Sequence, residues 1–151
     1  MSIANDVAMA VFARLQNITV ANGYATDIGL KAMRGRKRLD ESHLPCAVII
    51  ERPDSPGKQN MQRDPLVQIG QKYVLEGHAA CDPDNPNDVG HKIIADIKKA
   101  IWKDKLTFGT DQKVYTVTYE GKTIAPREDG VAVVSAAVEI SIEFVECLSN
   151  P

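Results

Sequence analysis

Histidine and cysteine carry the most versatile side-chain chemistry in this sequence, and their spacing argues against a metal centre. His43, His78, His91, Cys46, Cys81 and Cys147 include no C-x-x-C or H-x-x-x-H pair that would deliver two ligands from one local frame. Calcium would need oxygen ligands, and Asp82-Pro83-Asp84-Asn85-Pro86-Asn87-Asp88 has carboxylates and amides, but it lacks the loop glycine and closing bidentate Glu of an EF-hand. Capping of a following helix explains the run more simply. Nucleophilic catalysis needs a Ser or Cys held against a His by a third group, and no G-x-S-x-G elbow occurs. Neither G-x-x-x-x-G-K-[ST] nor G-x-G-x-x-G is present to cradle a phosphate. Glu139 and Glu143 point the same way from one extended run but lie too far along it to share a proton, so a solvated or interface face is their default reading. The expectation is a protein that is not an enzyme and uses neither metal nor cofactor.

The concentrated basic feature is Arg34-Gly35-Arg36-Lys37-Arg38. It lacks the interleaved aromatics that stack bases in a single-strand binder. A solvated turn, a contact to an acidic protein surface and a contact to passing nucleic acid all remain open, because Arg suits carboxylate and phosphate alike.

These residues must be positioned by a chain of 151 residues with a formal charge of −2 and 25% charged residues. That length suits one domain, residues 1–151, able to bury a core without disulfides or metal. The charge balance argues against wholesale coating of nucleic acid. Three widely spaced cysteines in apolar or strand-like runs suit reduced thiols in a cytosol. Asp6 and Arg14 interrupt the N-terminal apolar pattern, so no export signal is expected, and no stretch reaches the length of a membrane span.

The longest expected strand is Val131 to Val145, whose even positions from Ala132 to Phe144 are all apolar. A helix is expected from Ser2, as N-cap, to about Gln16, and an extended segment from Tyr24 to Met33. Pro45 marks the start of a strand through Cys46-Ala47-Val48-Ile49-Ile50, an apolar run suited to burial on both faces. Residues 52–65, with three prolines and almost no apolar side chain, read as a long mobile loop. Alternation resumes from Val67 toward Cys81. Asn85 as N-cap and Pro86 at the first helical position open a second helix to about Lys103. Gln112 to Tyr119 alternates, Glu120-Gly121 reads as a turn before Lys122-Thr123-Ile124, and Asp129-Gly130 as a hairpin turn before the last strand. The order α-β-β-β-α-β-β predicts an α+β domain: a mixed, mainly antiparallel sheet of about five strands with two helices packed on one face.

Several stretches together carry a family likeness: Gly23-Tyr24-Ala25-Thr26-Asp27-Ile28-Gly29; Arg34-Gly35-Arg36 leading to Leu44-Pro45-Cys46; Tyr73 through Glu76-Gly77-His78 to Asp82-Pro83-Asp84-Asn85-Pro86-Asn87-Asp88; and Pro126-Arg127-Glu128-Asp129-Gly130. Over nearly its whole length the chain resembles the tail terminator, or tail completion, proteins of long-tailed bacteriophages, including those of Mu-like siphophages. The resemblance implies a virion protein assembled in the host cytoplasm as a ring, a hexamer, on the last ring of the tail tube. Its partners would be further copies of itself, the tail tube protein and the head-tail connector or stopper, with DNA passing through the channel without specific binding. A head-side neck or stopper protein is the neighbouring alternative, and a small nucleic-acid-binding module using residues 34–38 is the alternative from another class.

Within a ring, the loop at 52–65 is the expected grip on tube or connector, through Arg52, Lys58 and Arg63. Arg34, Arg36, Lys37 and Arg38 are expected at the subunit or partner interface. On the odd face of the last strand, Val133, Ala137 and Val145 would meet a neighbour while Glu139 and Glu143 face the channel, where negative charge keeps DNA from sticking.

Overall fold

The structure is a computed structural model that describes residues 2–35, 38–108, 113–114, 116–125 and 130–151. Ser2 opens α1 (Ile3–Gln16) as expected, its Oγ accepting the Asn5 N–H at 3.2 Å. Val7, Ala8, Val11 and Leu15 form the buried side of this helix. The segment expected to extend from Tyr24 to Met33 does so only at its end. It contains a 3-10 turn at Ile28–Lys31, and the short strand β1 is confined to Ala32–Arg34.

Two anchors explain that difference. The Asp96 carboxylate accepts the Ala25 N–H at 3.0 Å, the Thr26 N–H at 2.8 Å and the Thr26 hydroxyl at 2.7 Å. Gly29 donates to the Ile18 carbonyl at 2.8 Å, and a Cβ there would come within 2.7 Å of the same oxygen. A local apolar pattern cannot express either long-range contact.

After a cis Leu44–Pro45 peptide, β2 (Cys46–Glu51) begins where the proline indicated, and Cys46 through Ile49 are buried on both faces. Residues 52–65 are not a long loop. Ser55–Asn60 form β3, which pairs antiparallel with the first part of β4 (Leu66–Ala80) through a bulge between Pro56 and Gln59. All six β3 side chains are exposed. The strand is held by backbone hydrogen bonds to the edge of β4, so side-chain hydrophobicity carried no trace of it.

Helix α2 (Pro86–Trp102) starts with Pro86 in its first turn. Asn85 occupies the N-cap position but makes no side-chain capping bond. The short strands β5 (Thr107–Phe108) and β6 (Lys113–Val114) pair antiparallel as a separate two-stranded sheet. The expected turn at Glu120-Gly121 is instead a bulge inside one continuous strand, β7 (Thr116–Ile124), where Gly121 takes φ 140°. The last strand, β8 (Val133–Cys147), begins and ends two residues later than its pattern indicated. Asp129 lies outside the described residues.

The fold is α+β, with a six-stranded mixed, mostly antiparallel sheet in the order β1-β2-β4-β8-β7 and β3 added beside β4. Among the described strands only β1 with β2 is parallel. The fifteen residues of β4 pair with the fifteen of β8 along their whole length, from Leu66↔Cys147 to Ala80↔Val133. One face collects the odd positions of β4 and the even positions of β8, which form a contiguous core with both helices. Leu75, Val138, Ile140 and Ile142 are fully buried there, against Val7, Val11 and Leu15 of α1 and Ile93 and Ile97 of α2. Arg14 ties the helices together by donating to the Ala100 carbonyl at 3.3 Å and the Lys105 carbonyl at 3.1 Å, at the negative end of α2.

Candidate functional site: the outer sheet face and its hairpin arm

Because β4 and β8 alternate strictly, their other face presents Gln68, Lys72, Val74, Glu76 and His78 beside Ser135, Ala137, Glu139, Ser141, Glu143 and Val145. The register pairs His78 with Ser135, and His78 Nδ1 lies 2.6 Å from Ser135 Oγ. Its other nitrogen, Nε2, lies 3.1 Å from Glu76 Oε2. A hydroxyl, imidazole and carboxylate are thus in line, the grouping that a motif search for a nucleophile elbow does not find. The signal was present as an i, i+2 Glu and His on one strand, but it is readable only once the strand opposite is known. Chemically the chain can relay a proton and fix the imidazole. Ser135 is the third residue of β8, in register with His78 on one side and accepting the Ala125 N–H at 2.8 Å on the other, so the backbone around it serves extended pairing and does not converge on an oxyanion.

Further along this face, Arg52, Lys72, Val74, Glu120 and Glu139 line a depression of about 240 Å³. Arg52 and Lys72 supply its positive side, and Glu120 and Glu139 its negative side. Ser141 holds Glu120 in place by donating to its carboxylate at 2.8 Å. Glu120 lies on this face by simple alternation with Thr116 and Thr118, and the bulge that follows it shifts the phase so that Ile124, opposite Ala136, turns to the core. Arg52 is fixed by its own backbone: its N–H donates to the Lys72 carbonyl at 2.9 Å and its carbonyl accepts the Gln71 side chain at 2.6 Å. It therefore belongs to the sheet edge and not to a mobile loop.

Beyond the helices, β3, the turn at 61–65 and the start of β4 form a hairpin arm. Lys58 and Arg63 lie exposed on it. Leu148 donates its N–H to the Pro65 carbonyl at 2.8 Å and ties the chain end to the arm. Met61, Leu66, Val145 and Leu148 are exposed at this end of the sheet, at 65%, 42%, 54% and 48%.

Of the residues expected at an interface, two are described. Arg34 ends β1, pairs with Glu51 at 3.6 Å and donates to the Met9 sulfur at 3.0 Å. Arg38 is exposed, while Arg36 and Lys37 lie outside the described residues. Glu139 and Glu143 are both exposed on the outer face, Glu143 opposite Gly70 and Thr116.

Four groups among the described residues titrate away from their ordinary ranges, one of them Asp40, whose carboxyl is held down by its hydrogen bonds with Ser42. Burial pushes the Cys46 thiol up. Burial also pushes the Tyr73 phenol far up, with the Glu51 charge adding to it. The Cys147 thiol is held down by its hydrogen bond with Ser149, whose Oγ is 3.2 Å from the sulfur. All three cysteines are free. Among the described residues no group of three His, Cys, Asp or Glu side chains converges on a metal-sized site. No helix among them is long and apolar enough to cross a membrane.

Compared with known proteins, the chain matches no protein-family model and no curated protein sequence.

Proposed function

We propose that this chain is a structural virion subunit of the tail-terminator type: a ring component that caps the phage tail tube, stops its polymerisation and provides the surface for head-tail joining. The observation that carries this reading is the hairpin arm. A strand with no buried side chain is held in the sheet by its backbone ladder to β4 and leads into a group of exposed apolar residues. Strand β3 puts no side chain into the core, and an exposed apolar group beside it is accounted for by a partner that covers it.

The resemblance described above supports the same reading, and so does a sheet with one face left bare of helices. A partner role for Arg52, Lys58 and Arg63 fits their places at the edge and on the arm, and Glu139 and Glu143 as channel residues fit an exposed acidic row. The nucleic-acid reading is less favoured, because Arg34 is already engaged by Glu51 and Met9.

The direct test is to polymerise purified tail tube protein with and without this chain. A terminator shortens the tubes in proportion to its concentration and is found at one tube end. Tubes of unchanged length with no end-bound chain would contradict the reading.

A further inference from the structure

The arm and the depression carry complementary sets of side chains. On the arm, Arg63 and Asp64 are neighbours in the turn, next to the exposed Met61. In the depression, Glu120 and Glu139 stand beside Arg52 and Lys72, with Val74 among them. Cation, anion and apolar side chain on one meet anion, cation and apolar side chain on the other.

The two cannot meet within one molecule. Leu66 and Val74 belong to the same regular strand, and their eight-residue separation corresponds to about 26 Å. The turn lies further out still, on a hairpin fixed by the β3–β4 ladder and by the Leu148 to Pro65 hydrogen bond.

We propose that the hairpin arm of one copy seats on the outer-face depression of a second copy, Arg63 against Glu120 and Glu139, Asp64 against Arg52 and Lys72, and Met61 over Val74. The occupant is this chain because the complementary arrays are both its own. A contact between two different surfaces of identical subunits is heterologous, so each copy keeps one arm and one depression free and the arrangement propagates head to tail until it closes. The inference rests on the ring reading and names the lock between neighbours.

The test uses the full chain with Cys81→Ser and Cys147→Ser, retaining the fully buried Cys46. One sample carries Met61→Cys, a second Val74→Cys, and the two are mixed and oxidised. The lock predicts covalent dimers in the mixture and in neither sample alone, and a ladder of multimers from the double variant. The two positions are too far apart in one chain for an internal disulfide. In parallel, Arg63→Glu should weaken self-association about tenfold, and mixing with Glu120→Arg/Glu139→Arg should restore it. A ring seen by native mass spectrometry without these cross-links would overturn the lock and leave the ring reading standing. A chain that stays monomeric at all concentrations, without cross-links and without effect on tube length, would overturn both.

Discussion

Gly77 of β4 lies directly beneath Ile93 of α2: a Cβ at position 77 would fall inside the van der Waals envelope of Ile93 Cγ2 and 3.0 Å from Ile28 Cδ1. Ile93 is β-branched and fully buried, so it has no rotamer to retreat into. The glycine sets how closely α2 approaches the two long strands.

Gly77→Ala should therefore lower stability by about 1–3 kcal/mol through overpacking. Gly70 on the same strand is the control, since a Cβ there meets only the Ser55 carbonyl at 3.6 Å. Urea denaturation of both variants checks the contrast. Equal stabilities would show that α2 does not sit as described.

Asp96 is buried in α2 and accepts three hydrogen bonds from Ala25 and Thr26. Asp96→Ala strands those donors and should cost about 2–3 kcal/mol. The local consequence is faster amide exchange at Ala25 and Thr26, measured by hydrogen exchange. Unchanged protection there would contradict the anchoring role.

Thiol reactivity should separate Cys147 from Cys46. The hydrogen bond with Ser149 lowers the Cys147 pKa and raises its thiolate fraction at neutral pH, whereas burial raises that of Cys46. Alkylation followed by mass spectrometry should label Cys147 first and leave Cys46 protected until unfolding. Ser149→Ala should slow Cys147 labelling near pH 7.5.

Tyr73 adds an alkaline limit to stability. Its folded pKa lies above the unfolded value of about 10, so its contribution is fully present below that pH and is lost as pH rises through the folded value. Tyr73→Phe should shift the alkaline unfolding midpoint upward. An unchanged midpoint would mean that the phenol is not the limiting group.

Much of the fold was legible because burial writes itself into period. The two fifteen-residue strands alternate, α2 shows its stripe of Ile93, Ile94, Ile97 and Ile101, and Pro45 and Pro86 stand at element starts. What escaped the sequence is what backbone or distant partners decide. Strand β3 is held by main-chain hydrogen bonds with every side chain in solvent, and residues 24–31 fold back because of Asp96 and the Ile18 carbonyl. A bulge replaces the turn at Glu120-Gly121 because Ser141 and the ladder with β8 hold that strand on course. The site suffers most from this: Arg52 and Glu139 were singled out separately, but Lys72 and Glu120 join them only through register. The Ser135, His78 and Glu76 alignment likewise exists only across paired strands.

The most direct measurement of the central claim is tail length in virions lacking this chain. Deleting the gene and imaging the lysate by electron microscopy should show overlong tails without heads, restored to uniform length and joined to heads when the chain is resupplied. Intact virions with tails of normal length would contradict the account, and normal-length tails beside unjoined heads would move the chain to the head side of the neck.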